Sequence, residues 1–81
     1  MSEKIIGQVL KKIREDQNLY QYDVAERLNI AKKNVHALEQ RKDMKLSTLK
    51  KYVEALGGEL NIWIEFEDQN RTYKISEHVN E

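Results

Sequence analysis

The residues best equipped for chemistry in this 81-residue chain are cations. Between positions 31 and 51 stand Lys32, Lys33, Arg41, Lys42, Lys45, Lys50 and Lys51, against only Glu39 and Asp43. Such an excess in so short a stretch describes a surface that meets an anionic partner. Other chemistries lack their parts. Cysteine is absent, so neither a thiolate metal site nor a disulfide framework can be built. His36 and His78 lie 42 positions apart, which suits no short-spaced metal motif. With no nucleophile–base pair and no phosphate-binding glycine loop, the composition argues against an enzyme, and no metal or cofactor is expected.

The overall charge hides this asymmetry, because Lys plus Arg and Asp plus Glu number 14 each. Residues 1–56 carry 12 basic and 8 acidic side chains, and residues 57–81 carry 2 and 6. The two parts therefore suit different partners. A chain of 81 residues is one small domain, near the lower limit for an independent core, so self-association is expected. No uncharged run approaches the roughly 20 residues of a membrane span. Met1-Ser2-Glu3-Lys4 opens no secretory signal, and a cytoplasmic protein is the expectation.

Periodicity supplies the elements that must position the cations. Ile6, Val9, Leu10 and Ile13 recur at helical spacing between about Ile5 and Gln17, and Asn18 is a left-handed stop. Val24, Ala25 and Leu28 mark a short helix over 21–28, followed by Asn29 as a turn residue. Val35 and Leu38 face inward on a third helix over 31–40. Arg41 to Lys45 reads as a loop with Met44 tucked inward, and Ser47 as the N-cap of a fourth helix striped by Leu49, Val53 and Leu56. Gly57 ends it. The apolar positions of all four helices form the expected core. The period then changes to two: Leu60, Ile62, Ile64 and Phe66 alternate with Asn61, Trp63, Glu65 and Glu67, which predicts a strand over 59–67. Asp68 to Arg71 carries turn residues, 72–76 offers a second strand with Tyr73 and Ile75 on one face, and 77–81 is a frayed tail. Both faces of the strand need cover. Pairing with a second copy through Leu60, Ile62, Trp63, Ile64 and Phe66 would supply it.

The segment 20–40 has the layout of a helix-turn-helix, with the small Ala25 where two helices approach. Packing of Val35 and Leu38 against Val24 and Leu28 leaves Lys32, Lys33, His36 and Ala37 on the outer face. In this motif the second helix enters the DNA major groove and its first residues meet base edges.

These residues carry a family resemblance. Leu19-Tyr20-Gln21, Val24-Ala25-Glu26-Arg27-Leu28-Asn29-Ile30 and Val35-His36-Ala37-Leu38-Glu39 resemble the phage-repressor-like helix-turn-helix family of the Cro/C1, or XRE, type, over about residues 5–57. Arg41 to Leu49, Tyr52 to Gly58 and the strand that follows look like the HigA-like antitoxins of bacterial toxin–antitoxin pairs, a plan that HipB-like antitoxins share. The resemblance implies a mainly α fold: a four-helix domain over 1–58, then a strand or hairpin over 59–76 that mediates dimerisation. It implies base reading by Lys32 and Lys33, with His36 and Ala37 further along the same face. It implies phosphate contacts from Gln21, Asn34, Arg41, Lys42 and Lys45, and a structural salt bridge between Arg14 and Glu39. Two departures stand out: Asn29 replaces the frequent glycine of the turn, and Ala31-Lys32 replaces Ser/Thr-Gln at the start of the recognition helix. Lysine there favours guanine O6/N7 or phosphate over adenine.

The expected function is a DNA-binding repressor acting as a homodimer on a palindromic operator, associated with the nucleoid and autoregulating. A cognate toxin would be neutralised by direct binding, with Glu59, Glu65, Glu67 and Asp68 offering a face to a basic partner. A stand-alone phage-type repressor without a toxin, or an interaction module with a vestigial helix-turn-helix, are the competing readings.

Overall fold

The computed structural model describes residues 5–75. Four helices follow one another, α1 (Ile6–Asp16), α2 (Gln21–Leu28), α3 (Lys32–Leu38) and α4 (Leu46–Ala55), before an antiparallel hairpin of β1 (Trp63–Phe66) and β2 (Arg71–Lys74). Residue 76 of the expected second strand, the 77–81 tail and His78 lie outside the described residues.

The turns between helices follow from asparagine's tolerance of the left-handed region. Asn18 (φ 60°) and Asn29 (φ 57°) follow α1 and α2, and Gly57 (φ 88°) follows α4. Each starts the same pair of bonds. Asn18 and Leu19 donate to Glu15 and Arg14, Asn29 and Ile30 to Glu26 and Ala25, and Gly57 and Gly58 to Glu54 and Val53. Carbonyls that the helix leaves without partners are thereby satisfied. Asn29 takes the turn as expected despite not being glycine. Asn70 (φ 52°) closes the hairpin after a 3-10 turn over Glu67–Gln69.

The core is Leu10, Val24, Ala25, Val35, Tyr52 and Leu56. Leu19, Leu28, Leu38, Met44, Leu49 and Val53 pack around it, so Met44 is indeed turned inward. Two expected core residues are not in it. Val9 and Ile13 are 41% and 37% exposed. The inward line of α1 is instead Gly7, Leu10 and Arg14. The apolar pattern mislocates that face because two of its three buried residues are a glycine and a charge.

The cause is a close crossing. A Cβ on Gly7 would stand 2.6 Å from the Glu39 carbonyl group and the Leu38 carbonyl oxygen. The bare glycine lets α1 run across the end of α3, and its amide donates to the Arg41 carbonyl at 3.0 Å. Gln8 adds a bond from Nε2 to the Glu39 carbonyl at 2.8 Å.

Two boundaries also differ from the sequence pattern. Ser47 is not a cap: α4 begins at Leu46 with Lys45 as the last extended residue. Met44 packs on the core, and the helix starts as soon as the chain leaves it. The strand expected over 59–67 is paired only from Trp63, since the ladder is no longer than its partner, with one further bond from Ile75 to the Ile62 carbonyl at 2.8 Å.

Gly7→Ala should therefore destabilise the fold by about 1–3 kcal/mol, as overpacking against rigid backbone does. Thermal unfolding followed by circular dichroism should show a Tm lower by roughly 4–8 °C per kcal/mol.

Candidate nucleic-acid interface

A buried polar network fixes the end of α3. Arg14 and Glu39 are 6% and 0% exposed. Arg14 donates from Nε to Glu39 Oε2 at 2.7 Å and from Nη2 to Oε1 at 3.1 Å, a two-pronged fit of guanidinium to carboxylate. Its Nη1 reaches the Leu19 carbonyl at 2.8 Å. The Tyr52 hydroxyl donates to Glu39 Oε2, and Gln21 Nε2 donates to Oε1 at 3.0 Å. Every helix thus contributes: Arg14 from α1, Gln21 from the start of α2, Glu39 from the end of α3 and Tyr52 from α4.

The electrostatics follow from these contacts. Burial opposes ionisation of Glu39. Hydrogen bonds from Arg14, Tyr52 and Gln21, with the Arg14 charge, outweigh it and hold the carboxyl below its ordinary pKa. The bond to Glu39 raises the Arg14 guanidinium further. Burial, then donation to Glu39, pushes the Tyr52 phenol far above its ordinary range. At neutral pH the site is one ion pair with a neutral phenol.

Outside this anchor lies the exposed face of α3. Val35 is buried and Leu38 half-buried, whereas Lys32, Lys33, Asn34, His36 and Ala37 are all exposed. No side chain caps the helix start, and Asn34 and Val35 donate from their backbone amides to the Ala31 carbonyl. Arg41, Lys42 and Lys45 continue the cationic surface along the loop. Arg41 Nε folds back onto the Asp43 carbonyl at 3.2 Å, and the Arg41 carbonyl is the group that α1 holds through Gly7. Helix and loop are therefore tied to the same anchor. Gln21 stands differently from the other expected phosphate ligands: it is half-buried, with its amide nitrogen on Glu39 and 3.4 Å from His36 Nδ1.

Two contributors escape the sequence pattern, Tyr52 and Gly7. Tyr52 lies at helical spacing between Leu49 and Leu56, a signal that a stripe built on Val53 obscures. Gly7 is legible only as an isolated glycine in a helical run.

At the hairpin, Ile64 faces Tyr73 and Phe66 faces Arg71 across the strands, and Phe66 meets Tyr73 edge-on at 5.8 Å. Trp63 lies on the other face with the Lys74 ammonium 5.8 Å from its ring. Trp63, Ile64 and Phe66 are exposed, and Leu60 and Ile62 half-buried.

Comparison with known proteins places this geometry. Residues 9–65 match the model of the Cro/C1-type helix-turn-helix DNA-binding domain. A HigA antitoxin, described for the DNA bending induced by its unique dimerisation, is 35% identical, with a TM-score of 0.73 over 82% of this chain and 88% of its own. A DNA-bound antitoxin HigA3 is 29% identical, with a TM-score of 0.75 over 93% and 92%. No curated protein sequence matches.

The anchor sets a pH dependence. Because the Glu39 pKa is lowered on folding, its stabilisation is complete above the unfolded value of about 4.3 and lost as the pH falls through the folded value. Glu39→Gln should cost about 3–5 kcal/mol at neutral pH, because Arg14 is left buried and unpaired. Urea unfolding of both proteins from neutral to acidic pH should show the gap narrowing below about pH 4.3.

Proposed function

The chain belongs to the Cro/C1-type helix-turn-helix DNA-binding domain family, and on that premise we propose that it is a homodimeric, autoregulating transcriptional repressor that also serves as the antitoxin of a toxin–antitoxin pair. The observation that carries the DNA role is the exposed face of α3. It is polar and cationic from its first residue, continues into a cationic loop, and is anchored from behind by a network drawn from all four helices. In this reading Lys32 and Lys33 enter the major groove and favour the O6 and N7 acceptors of guanine. His36 and Ala37 extend the contact, and Asn34, Arg41, Lys42 and Lys45 engage phosphates. The protein then works in the cytoplasm, on the nucleoid.

Dimerisation is supported by the hairpin. Ile62, Ile64 and Phe66 share one face with Tyr73 and Ile75, and Ile64, Phe66 and Tyr73 are 39%, 42% and 47% exposed. An isolated hairpin of this kind is marginal in water, and a second copy covers it. The dimerising and DNA-bound HigA relatives support the same assembly. Two recognition helices would then meet a palindromic operator about 34 Å apart. The relatives' antitoxin identity and the acidic surface of Glu59, Glu65, Glu67 and Asp68 support capture of a basic toxin.

The DNA role is tested by replacing both lysines. Lys32→Ala with Lys33→Ala should leave the Tm unchanged and abolish most of the preference for a selected operator over unrelated duplex, about 1–3 kcal/mol for each base-reading side chain removed. Retention of that preference in gel-shift competition contradicts the assignment. For the dimer, Ile64→Asp should halve the mass seen by sedimentation equilibrium. An unchanged mass removes the hairpin interface.

A further inference from the structure

Gln21 is the one expected phosphate ligand whose donor group points inward. Its Nε2 lies 3.0 Å from Glu39 Oε1 and 3.4 Å from His36 Nδ1. An ionised carboxylate only accepts hydrogen bonds, so the Glu39 contact fixes which end of the amide is nitrogen. The carboxylate is itself held by Arg14 and Tyr52, so the amide has no freedom to turn around. Its second hydrogen then faces the imidazole. A ring nitrogen that accepts from this donor carries no proton, so the tautomer that suits the contact has its proton on Nε2.

We propose that Gln21 is a positioning residue for His36, holding Nδ1 toward α2 and presenting Nε2–H outward from α3 as a hydrogen-bond donor. This rests on reading α3 as the recognition helix. It assigns His36 a polarity: the N7 and O6 of guanine, the N7 of adenine and the O4 of thymine are accepted, and the exposed amino group of cytosine is refused. The rest of the face agrees. Lys32 and Lys33 are pure donors, Asn34 supplies a donor as well as an acceptor, and the exposed residues of α3 include no carboxylate. Gln21 thus acts through His36 on sequence choice.

The test is a double-mutant cycle on DNA affinity. A duplex is selected from a random pool by the wild-type protein, with an unrelated duplex of equal length as reference. Gln21→Ala should weaken binding to the selected duplex by about fivefold, the value of a single modest hydrogen bond. The same change should cost clearly less in a His36→Ala background, and clearly less on the unrelated duplex. Removal of the bond to Glu39 is common to both backgrounds and cancels. Equal losses in both backgrounds, or on both duplexes, overturn the proposal and make Gln21 an independent phosphate ligand. A second measurement needs no variant: the imidazole 15N shifts of the free wild-type protein should show the neutral ring protonated at Nε2. A proton on Nδ1 overturns the proposal. If the wild type selects no duplex, the DNA-binding reading itself fails, while the 15N shifts still judge the Gln21–His36 geometry separately.

Discussion

The Arg14–Glu39 ion pair joins α1 to the end of α3 inside the four-helix domain. Arg14 is 6% exposed and Glu39 0%, and removing two charges from water is costly unless the pair is well aligned and its remaining bonding capacity is used. Here it is. Two prongs join the guanidinium to the carboxylate, a third reaches the Leu19 carbonyl, and Tyr52 and Gln21 complete the acceptors. An apolar core tolerates small slides of one helix on another. A bidentate ion pair with four contributing helices does not, because each displacement strands a buried charge. On the proposed reading, α3 is a helix of seven residues that offers side chains at fixed positions, and such a constraint holds them there.

Backbone contacts extend the constraint outward. Gly7 brings α1 against the end of α3, and its amide and the Gln8 side chain hold the Arg41 and Glu39 carbonyls. The cationic loop therefore starts from a fixed point. Arg27 makes a comparable tie on the other side, donating from Nη1 to the Ala55 carbonyl at 2.7 Å, where the last turn of α4 favours a positive charge. Hairpin packing is different in kind. Its ring contacts, Phe66 with Tyr73 and Lys74 over Trp63, lie within the hairpin, and Ile64, Phe66 and Tyr73 are exposed.

Much of this is legible in the sequence, for identifiable reasons. Asn18, Asn29 and Gly57 mark three helix ends because few residues adopt a positive φ, and all three do so. Lys32 and Lys33 fall outside because Val35 and Leu38 fix the inward face of α3. The change of period from 3.6 to 2 locates the hairpin. The misses share a cause. Apolar spacing puts Val9 and Ile13 in the core and passes over Tyr52 and Gly7, because it ignores a face built on a glycine, a charge and a phenol. Ser47 suits a cap on residue type alone, while the packing of Met44 sets the start of α4 at Leu46. Strand length follows the partner strand, which a one-strand pattern does not encode.

On the proposed reading, two copies present their anchored recognition helices to one DNA site. DNase I footprinting on the DNA just upstream of the chain's own reading frame, at two salt concentrations, addresses it most directly. The expected result is protection of an inverted repeat with half-sites centred about one helical turn apart, and affinity that falls steeply with salt. Absence of protection at both salt concentrations would contradict it, and would return the cationic face of α3 to the status of a solvated surface.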